Sequence, residues 1–138
     1  MRNHDKQYMD MAEIWASNSY AVRNKVGALI VKDNMIISDG YNGTPSGFDN
    51  CCEIKQPDGS LVTKPEVLHA EANAITKIAK STQSSDGSTL YVTLSPCAEC
   101  AKLIIQSGIK RVVYRDLYRK TDGLELLQKA GIQVDRVE

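Results

Sequence analysis

The sequence predicts an α/β fold of three layers, α-β-α, built on a five-strand mixed sheet. Three observations predict it. The second half alternates strand-like apolar runs with helical patterns, the signature of parallel strands joined by right-handed crossover helices. Near the N-terminus two apolar runs, Val26–Val31 and Met35–Ile37, are separated only by Lys32-Asp33-Asn34, a hairpin turn. These runs are apolar on both faces, so helices should cover both sides of the sheet. The chain's 138 residues suffice for one domain, residues 1–138, with its own core.

The elements follow in order. Residues 5–16 place Tyr8, Met11, Ala12 and Trp15 at helical spacing, and Ser17-Asn18-Ser19 ends that helix. The hairpin strands come next. From Gly40 to Pro65 the chain is rich in turn formers and has little periodicity. A loop this long in a small domain is usually functional, and here it should wall a pocket. Residues 69–80 read as a helix with Ala72, Ile75, Ile78 and Ala79 facing the core. Residues 81–88 are a polar connection, and Thr89–Leu94 has strong strand propensity. A helix over 98–107 is stopped by Gly108, a strand runs over 111–114, and a helix over 123–130 is stopped by Gly131. Residues 132–134 form the last strand. The order is α-β-β-α-β-α-β-α-β.

Composition narrows the function. The formal net charge is zero, whereas gripping a nucleic-acid polymer normally leaves a basic footprint. No apolar run approaches a membrane span, and the polar start, Met1 to Lys6, does not resemble a secretory signal. Four cysteines without a secretion signal, two of them in a C-x-x-C, point to metal or redox chemistry in a reducing cytoplasm rather than to disulfides.

The chemistry concentrates in two short segments, His69-Ala70-Glu71 and Ser95-Pro96-Cys97-Ala98-Glu99-Cys100. His69, Cys97 and Cys100 read as three ligands of one zinc ion per subunit. Three protein ligands leave the fourth tetrahedral position for water, which is the pattern of a catalytic rather than a structural zinc. Both segments sit where a helix begins, and a helix N-terminus favours thiolates. Zinc lowers the pKa of such a water toward ~7, so hydroxide is available at neutral pH. Glu71, two residues from a ligand, is placed as the general base that later gives its proton to a leaving group. This is chemistry for attack on an sp2 carbon that carries an amino group, with ammonia leaving.

These residues carry a resemblance. H-A-E followed 24 residues later by P-C-x-x-C resembles the zinc-dependent cytidine and deoxycytidylate deaminase superfamily, for which this signature is known. Val26-Gly27-Ala28-Leu29-Ile30-Val31, the loop Gly40-Tyr41-Asn42-Gly43-Thr44-Pro45-Ser46-Gly47 and the segment Tyr91–Lys102 extend it over most of the chain, toward the deoxycytidylate branch. The resemblance implies a cytidine-deaminase-like fold and hydrolysis of dCMP to dUMP and ammonia, with hydroxide attacking C4 and Glu71 as proton shuttle. It implies that Asn42 meets the sugar, that Ala70 offers a backbone group to the base, and that Arg23 and Asn24 lie where a phosphate is met. Tyr118, with Arg119 or Lys120, would close over the nucleotide. An effector site for dCTP and dTTP, with Mg2+ accompanying the triphosphate, would involve Gly43, Lys64 and Glu66. A homo-oligomer, a hexamer, is the expected assembly, and the short chain suits a viral enzyme of nucleotide supply.

Other residues take plainer readings. Cys51 and Cys52 are expected to be free, partly buried thiols, not ligands of a second zinc. Tyr8 and Trp15 read as core or subunit contacts. Lys110, Arg111, Arg115, Arg119 and Lys120 read as a solvated basic face.

Overall fold

The computed structural model describes residues 4–138; Met1 to Asn3, part of the polar start, lie outside the described residues. The elements are α1 (Asp5–Ala16), β1 (Gly27–Lys32), β2 (Met35–Tyr41), β3 (Glu53–Lys55), β4 (Leu61–Thr63), α2 (Ala70–Ala79), β5 (Thr89–Leu94), α3 (Ala98–Gln106), β6 (Arg111–Asp116), α4 (Asp122–Lys129) and β7 (Gln133–Arg136). Five strands form one sheet in the order β2-β1-β5-β6-β7. β1 is antiparallel to both its neighbours, and β5, β6 and β7 are parallel. The sheet is therefore mixed, as the sequence predicts.

Local chemistry explains the joints. Asp33 and Asn34 take positive φ values of 51° and 62°. Two successive left-handed residues make the tight turn whose twist matches a hairpin, and Asp and Asn tolerate that region best after glycine. Alternation along β1 then sorts the core. Leu29 and Val31 join Met9, Ala12, Tyr91 and Val113 on the α1 side. Ala28 and Ile30 join Leu90, Val92, Val112 and the inner faces of α2, α3 and α4 on the other. Gly40 lets α2 approach the sheet closely, because a Cβ there would stand 2.5 Å from the Ala70 carbonyl oxygen. Among the described residues, no helix is long and apolar enough to cross a membrane.

The structure corrects several expectations. In α1 the buried residues are Asp5, Met9, Ala12 and Ala16, whereas Met11 is 43% exposed and Trp15 37%. In α2, Ala74 is buried and Ala79 is exposed. β2 is an edge strand, so Met35 and Ile36 are exposed rather than covered. The 40–65 loop carries an unforeseen hairpin, β3 paired with β4.

The basic residues are not one solvated face. Arg111 donates to both oxygens of Asp5 (2.9 and 2.7 Å) and to Asp135 (2.8 Å). The Tyr91 hydroxyl also donates to Asp5, at 2.6 Å. Arg115 pairs with Asp10 at 2.7 Å. These bonds staple α1 to β5 and β6, and β6 to β7.

Candidate active site

Two helices start side by side on residues that do not cap them. His69 is the N-cap of α2 and Cys97 the N-cap of α3, both with extended backbone, and neither side chain makes a capping hydrogen bond. Ser, Thr, Asp or Asn would normally stand there. The side chains are thereby free to face each other. His69 Nδ1 lies 3.2 Å from Cys100 Sγ and 3.5 Å from Cys97 Sγ. Among the described residues these three form the one cluster of His, Cys, Asp or Glu side chains with metal-holding separations.

The donor set fits zinc. Ligand bonds of about 2.0–2.1 Å to nitrogen and 2.3 Å to sulfur at a tetrahedral centre put N and S about 3.6 Å apart, close to both separations seen. Hydrogen bonding from Cys100, then from His69, holds the Cys97 thiol down at about 3, so one thiolate is already formed at neutral pH. Cys100, whose proton serves that bond, is pushed up, and burial adds to the effect. A metal cation would displace this remaining proton. Cys100 is buried while His69 and Cys97 open toward the cavity.

Glu71 lies two residues beyond His69, in the first turn of α2, and is 4% exposed. Burial pushes its carboxyl up to about 7, opposed by its own backbone amide and by the positive charge of His69. It is therefore a carboxyl beside the metal cluster, held from solvent except through the pocket.

That pocket has a volume of about 230 Å3, at the small end for ligand sites. His69, Ala70, Glu71 and Cys97 line one part of its wall, with Val26, Leu94 and Ser95. Arg23, Asn24, Asn42 and Tyr118 line it too, so all five residues expected to meet substrate converge on one cavity. Asn42 has a positional duty as well: its Oδ1 accepts from Val26 N (2.9 Å) and its Nδ2 donates to Asn24 O (2.8 Å). Tyr118 is set by its N–H donating to Ser95 Oγ at 2.7 Å. Arg23 reaches across to Leu61 O (3.0 Å) and Thr63 Oγ1 (2.9 Å) of β4.

Gly43, Lys64 and Glu66, the expected effector residues, are not part of this wall. Gly43 exchanges two backbone bonds with Leu68 and Lys64 N donates to Cys52 O. Arg119 and Lys120 are exposed. Cys51 is exposed and Cys52 buried, both free, and neither joins the His69 cluster. Glu53, Thr63 and Cys52 line the pocket although the sequence did not single them out for it; the readable signal was the turn Pro57-Asp58-Gly59 of the hairpin that carries Glu53 and Thr63.

The backing of the site is steric. A Cβ on Gly123, in the first turn of α4, would stand 2.1 Å from Pro96 O and 2.8 Å from Cys97 C. α4 thus presses directly on the backbone that carries Cys97.

Comparison with known proteins gives concordant results. The family model for the cytidine and deoxycytidylate deaminase zinc-binding region matches residues 2–116. The deoxycytidylate deaminase of Enterobacteria phage T4 is 36% identical over 94% of this chain and 87% of its own length. The human deoxycytidylate deaminase is 42% identical over 83% of this chain and 66% of its own. Among solved structures, the dCMP deaminase of cyanophage S-TIM5, in complex with dCMP and dUMP, superposes with a TM-score of 0.91 at 50% identity, covering 99% of each chain.

Proposed function

The chain belongs to the cytidine and deoxycytidylate deaminase zinc-binding family, and on that premise we propose how it hydrolyses dCMP to dUMP and ammonia. The observation that carries this reading is the His69/Cys97/Cys100 cluster opening, beside the buried Glu71, into a pocket that also gathers Arg23, Asn24, Asn42 and Tyr118.

In this reading His69, Cys97 and Cys100 hold one zinc per subunit. Zinc, when bound, supplies Lewis acidity that brings the pKa of a water toward neutrality. Glu71 would relay both protons of the attacking water, one to ring N3 as the C4–O bond forms and one to the amino nitrogen as the C4–N bond breaks, so that C4 ends as a carbonyl and ammonia leaves. Its burial keeps those protons from bulk water. Ala70, at the start of α2, presents backbone to the base. The wall beyond it receives the rest of the nucleotide. Arg23 is the cation of that wall and meets the phosphate, next to Asn24. Asn42, held by Val26 N and Asn24 O, presents its amide to the sugar. Tyr118 closes the mouth.

Effector control by dCTP and dTTP, with Mg2+, would use Gly43, Lys64 and Glu66 outside the pocket. Exposed Ile14 (70%), Tyr20 (63%) and Val22 (72%) on and after α1 supply apolar surface for a homo-oligomer, a hexamer. The free thiols suit the cytoplasm, a host's cytoplasm for a viral chain.

The test is a substrate series. Purified protein is incubated with dCMP, CMP, deoxycytidine, dCTP and a transfer RNA, and ammonia release is followed. dCMP should be turned over preferentially. Faster turnover of deoxycytidine, or of the transfer RNA, would overturn the nucleotide reading.

A further inference from the structure

We propose that Cys51 and Cys52 are a modification site, a dithiol that a hydroperoxide oxidises to a disulfide, and that this bridge loosens the Arg23 side of the pocket. The effect on turnover rests on the reading of Arg23 as the cation that meets the substrate phosphate; the chemistry of the pair does not. Cys51 is exposed, and Cys52 beside it is 1% exposed and lines the pocket. Both are free, and neither belongs to the His69 cluster, the one group with metal-holding separations among the described residues. Each thiol donates to a nearby carbonyl, Cys51 Sγ to Glu53 O at 3.3 Å and Cys52 Sγ to Asn50 O at 3.5 Å.

An accessible thiol with a second thiol beside it is the arrangement of an oxidant-sensing cysteine and its resolving partner. Cys51 is the one a peroxide reaches, while burial pushes the Cys52 thiol up and keeps it protonated. The Cys51 thiolate attacks one oxygen of hydrogen peroxide and the O–O bond breaks, which leaves a sulfenic acid and, after proton uptake, water. The Cys52 sulfur then attacks the sulfenic sulfur. The S–S bond forms, the S–O bond breaks, and the departing hydroxide takes the Cys52 proton and leaves as a second water. Two electrons pass from the two sulfurs to the peroxide.

Such a bridge does not fit the backbone as it stands. Adjacent Cα atoms are about 3.8 Å apart across a trans peptide, whereas disulfides usually span about 4.4–6.8 Å. The Cys51–Cys52 peptide must therefore rearrange, and both thiol hydrogen bonds go with their protons. A bridge strained in this way is readily reduced, so the modification is reversible. That peptide is the root of the β3–β4 hairpin, where Cys52 O accepts from Lys64 N at 2.8 Å. The hairpin holds Arg23 at both ends. Glu53, next to Cys52, accepts through Oε2 from Val22 N at 2.9 Å and Arg23 N at 3.3 Å. On β4, Leu61 O and Thr63 Oγ1 take the guanidinium at 3.0 and 2.9 Å. Moving the root moves Arg23. His69, Glu71, Cys97 and Cys100 stand at the starts of α2 and α3 and keep their places. Oxidation of the pair thus acts on binding and spares the chemistry.

The test exposes the zinc-loaded enzyme to graded hydrogen peroxide and reads peptide mass under non-reducing conditions, zinc content and dCMP kinetics. At doses that leave zinc bound, the peptide carrying Cys51 and Cys52 should become lighter by two hydrogens. KM should rise about 10- to 100-fold, the range for losing charge-assisted hydrogen bonds, with kcat within about threefold. Dithiothreitol should restore both mass and KM. Cys51→Ser, whose hydroxyl can still donate to Glu53 O, should match the untreated enzyme in KM and stay there under peroxide. Cys52→Ser should instead hold a sulfenic acid at Cys51 that dimedone labels. Loss of zinc before any bridge forms, a bridged enzyme whose KM is within about twofold of the reduced one, or an equal KM rise in Cys51→Ser would overturn the proposal. Failure of the underlying reading looks different: the untreated enzyme would then not turn over dCMP, while the peptide mass still shows whether the bridge forms.

Discussion

Gly123→Ala tests whether α4 fixes the position of Cys97. The new Cβ would stand 2.1 Å from Pro96 O and 2.8 Å from Cys97 C, both backbone atoms that cannot rotate aside. Ordinary contact needs about 3.4 Å or more, so the loop or the helix must move by about 1.3 Å. Overpacking of that kind costs about 1–3 kcal/mol. The displacement falls on a residue of the metal cluster, and misplacement of about 1 Å near the chemistry lowers rates about 100-fold. Urea denaturation and kcat on dCMP measure the two effects in one preparation, with Gln128→Ala, an exposed position on the same helix, as control. The predicted result is lower stability and a kcat reduced about 100-fold in Gly123→Ala, with the control within twofold of wild type. A Gly123→Ala enzyme with unchanged midpoint and kcat would refute the claim that α4 braces the site.

Three further predictions concern different parts of the molecule. Glu71→Ala should keep zinc, measured by metal analysis, yet lose about 10²- to 10⁴-fold in kcat, the usual contribution of a general acid–base; substantial turnover would remove Glu71 from its role. Arg111→Ala leaves the Asp5 carboxylate, whose side chain is 12% exposed, without its bidentate partner, and should cost about 3 kcal/mol in urea denaturation; a loss under about 1 kcal/mol would mean the staple is not structural. The bond from Arg115 holds the Asp10 carboxyl below the usual carboxylate range. A folded pKa below the unfolded one contributes stability that is present above about pH 4 and fades as pH falls through the folded value. The Arg115→Ala chain should therefore have a lower urea midpoint at pH 7, and the gap should narrow on acidification below about pH 4; a gap that widens there contradicts the pairing.

What the sequence showed and what it hid divide along physical lines. The metal cluster was legible because His69, Cys97 and Cys100 sit at two helix starts, and such spacing is a local property. The parallel half of the sheet was legible from alternation and from Gly108 and Gly131, both of which take positive φ as helix stops. The inner face of α1 was not. Met9 and Met11 both satisfy a helical period, and the choice between them is made by Leu29, Tyr91 and Val113 across the interface. Arg111 was misread for a related reason, because its partner Asp5 lies 106 positions away and no charge pattern announces the pairing. The β3–β4 hairpin has strands of three residues each, too short for periodicity, so Glu53 and Thr63 passed as loop residues although they wall the pocket.

The central claim is that one zinc, held by His69, Cys97 and Cys100, makes this pocket a deaminase site. Metal analysis of the purified chain alongside its Cys97→Ser variant, with ammonia release from dCMP read on the same samples, tests it most directly. The account predicts about one zinc per wild-type chain, and loss of both metal and turnover in the variant. A variant that keeps its zinc, or a wild-type chain that deaminates dCMP equally well after zinc is removed, would contradict it.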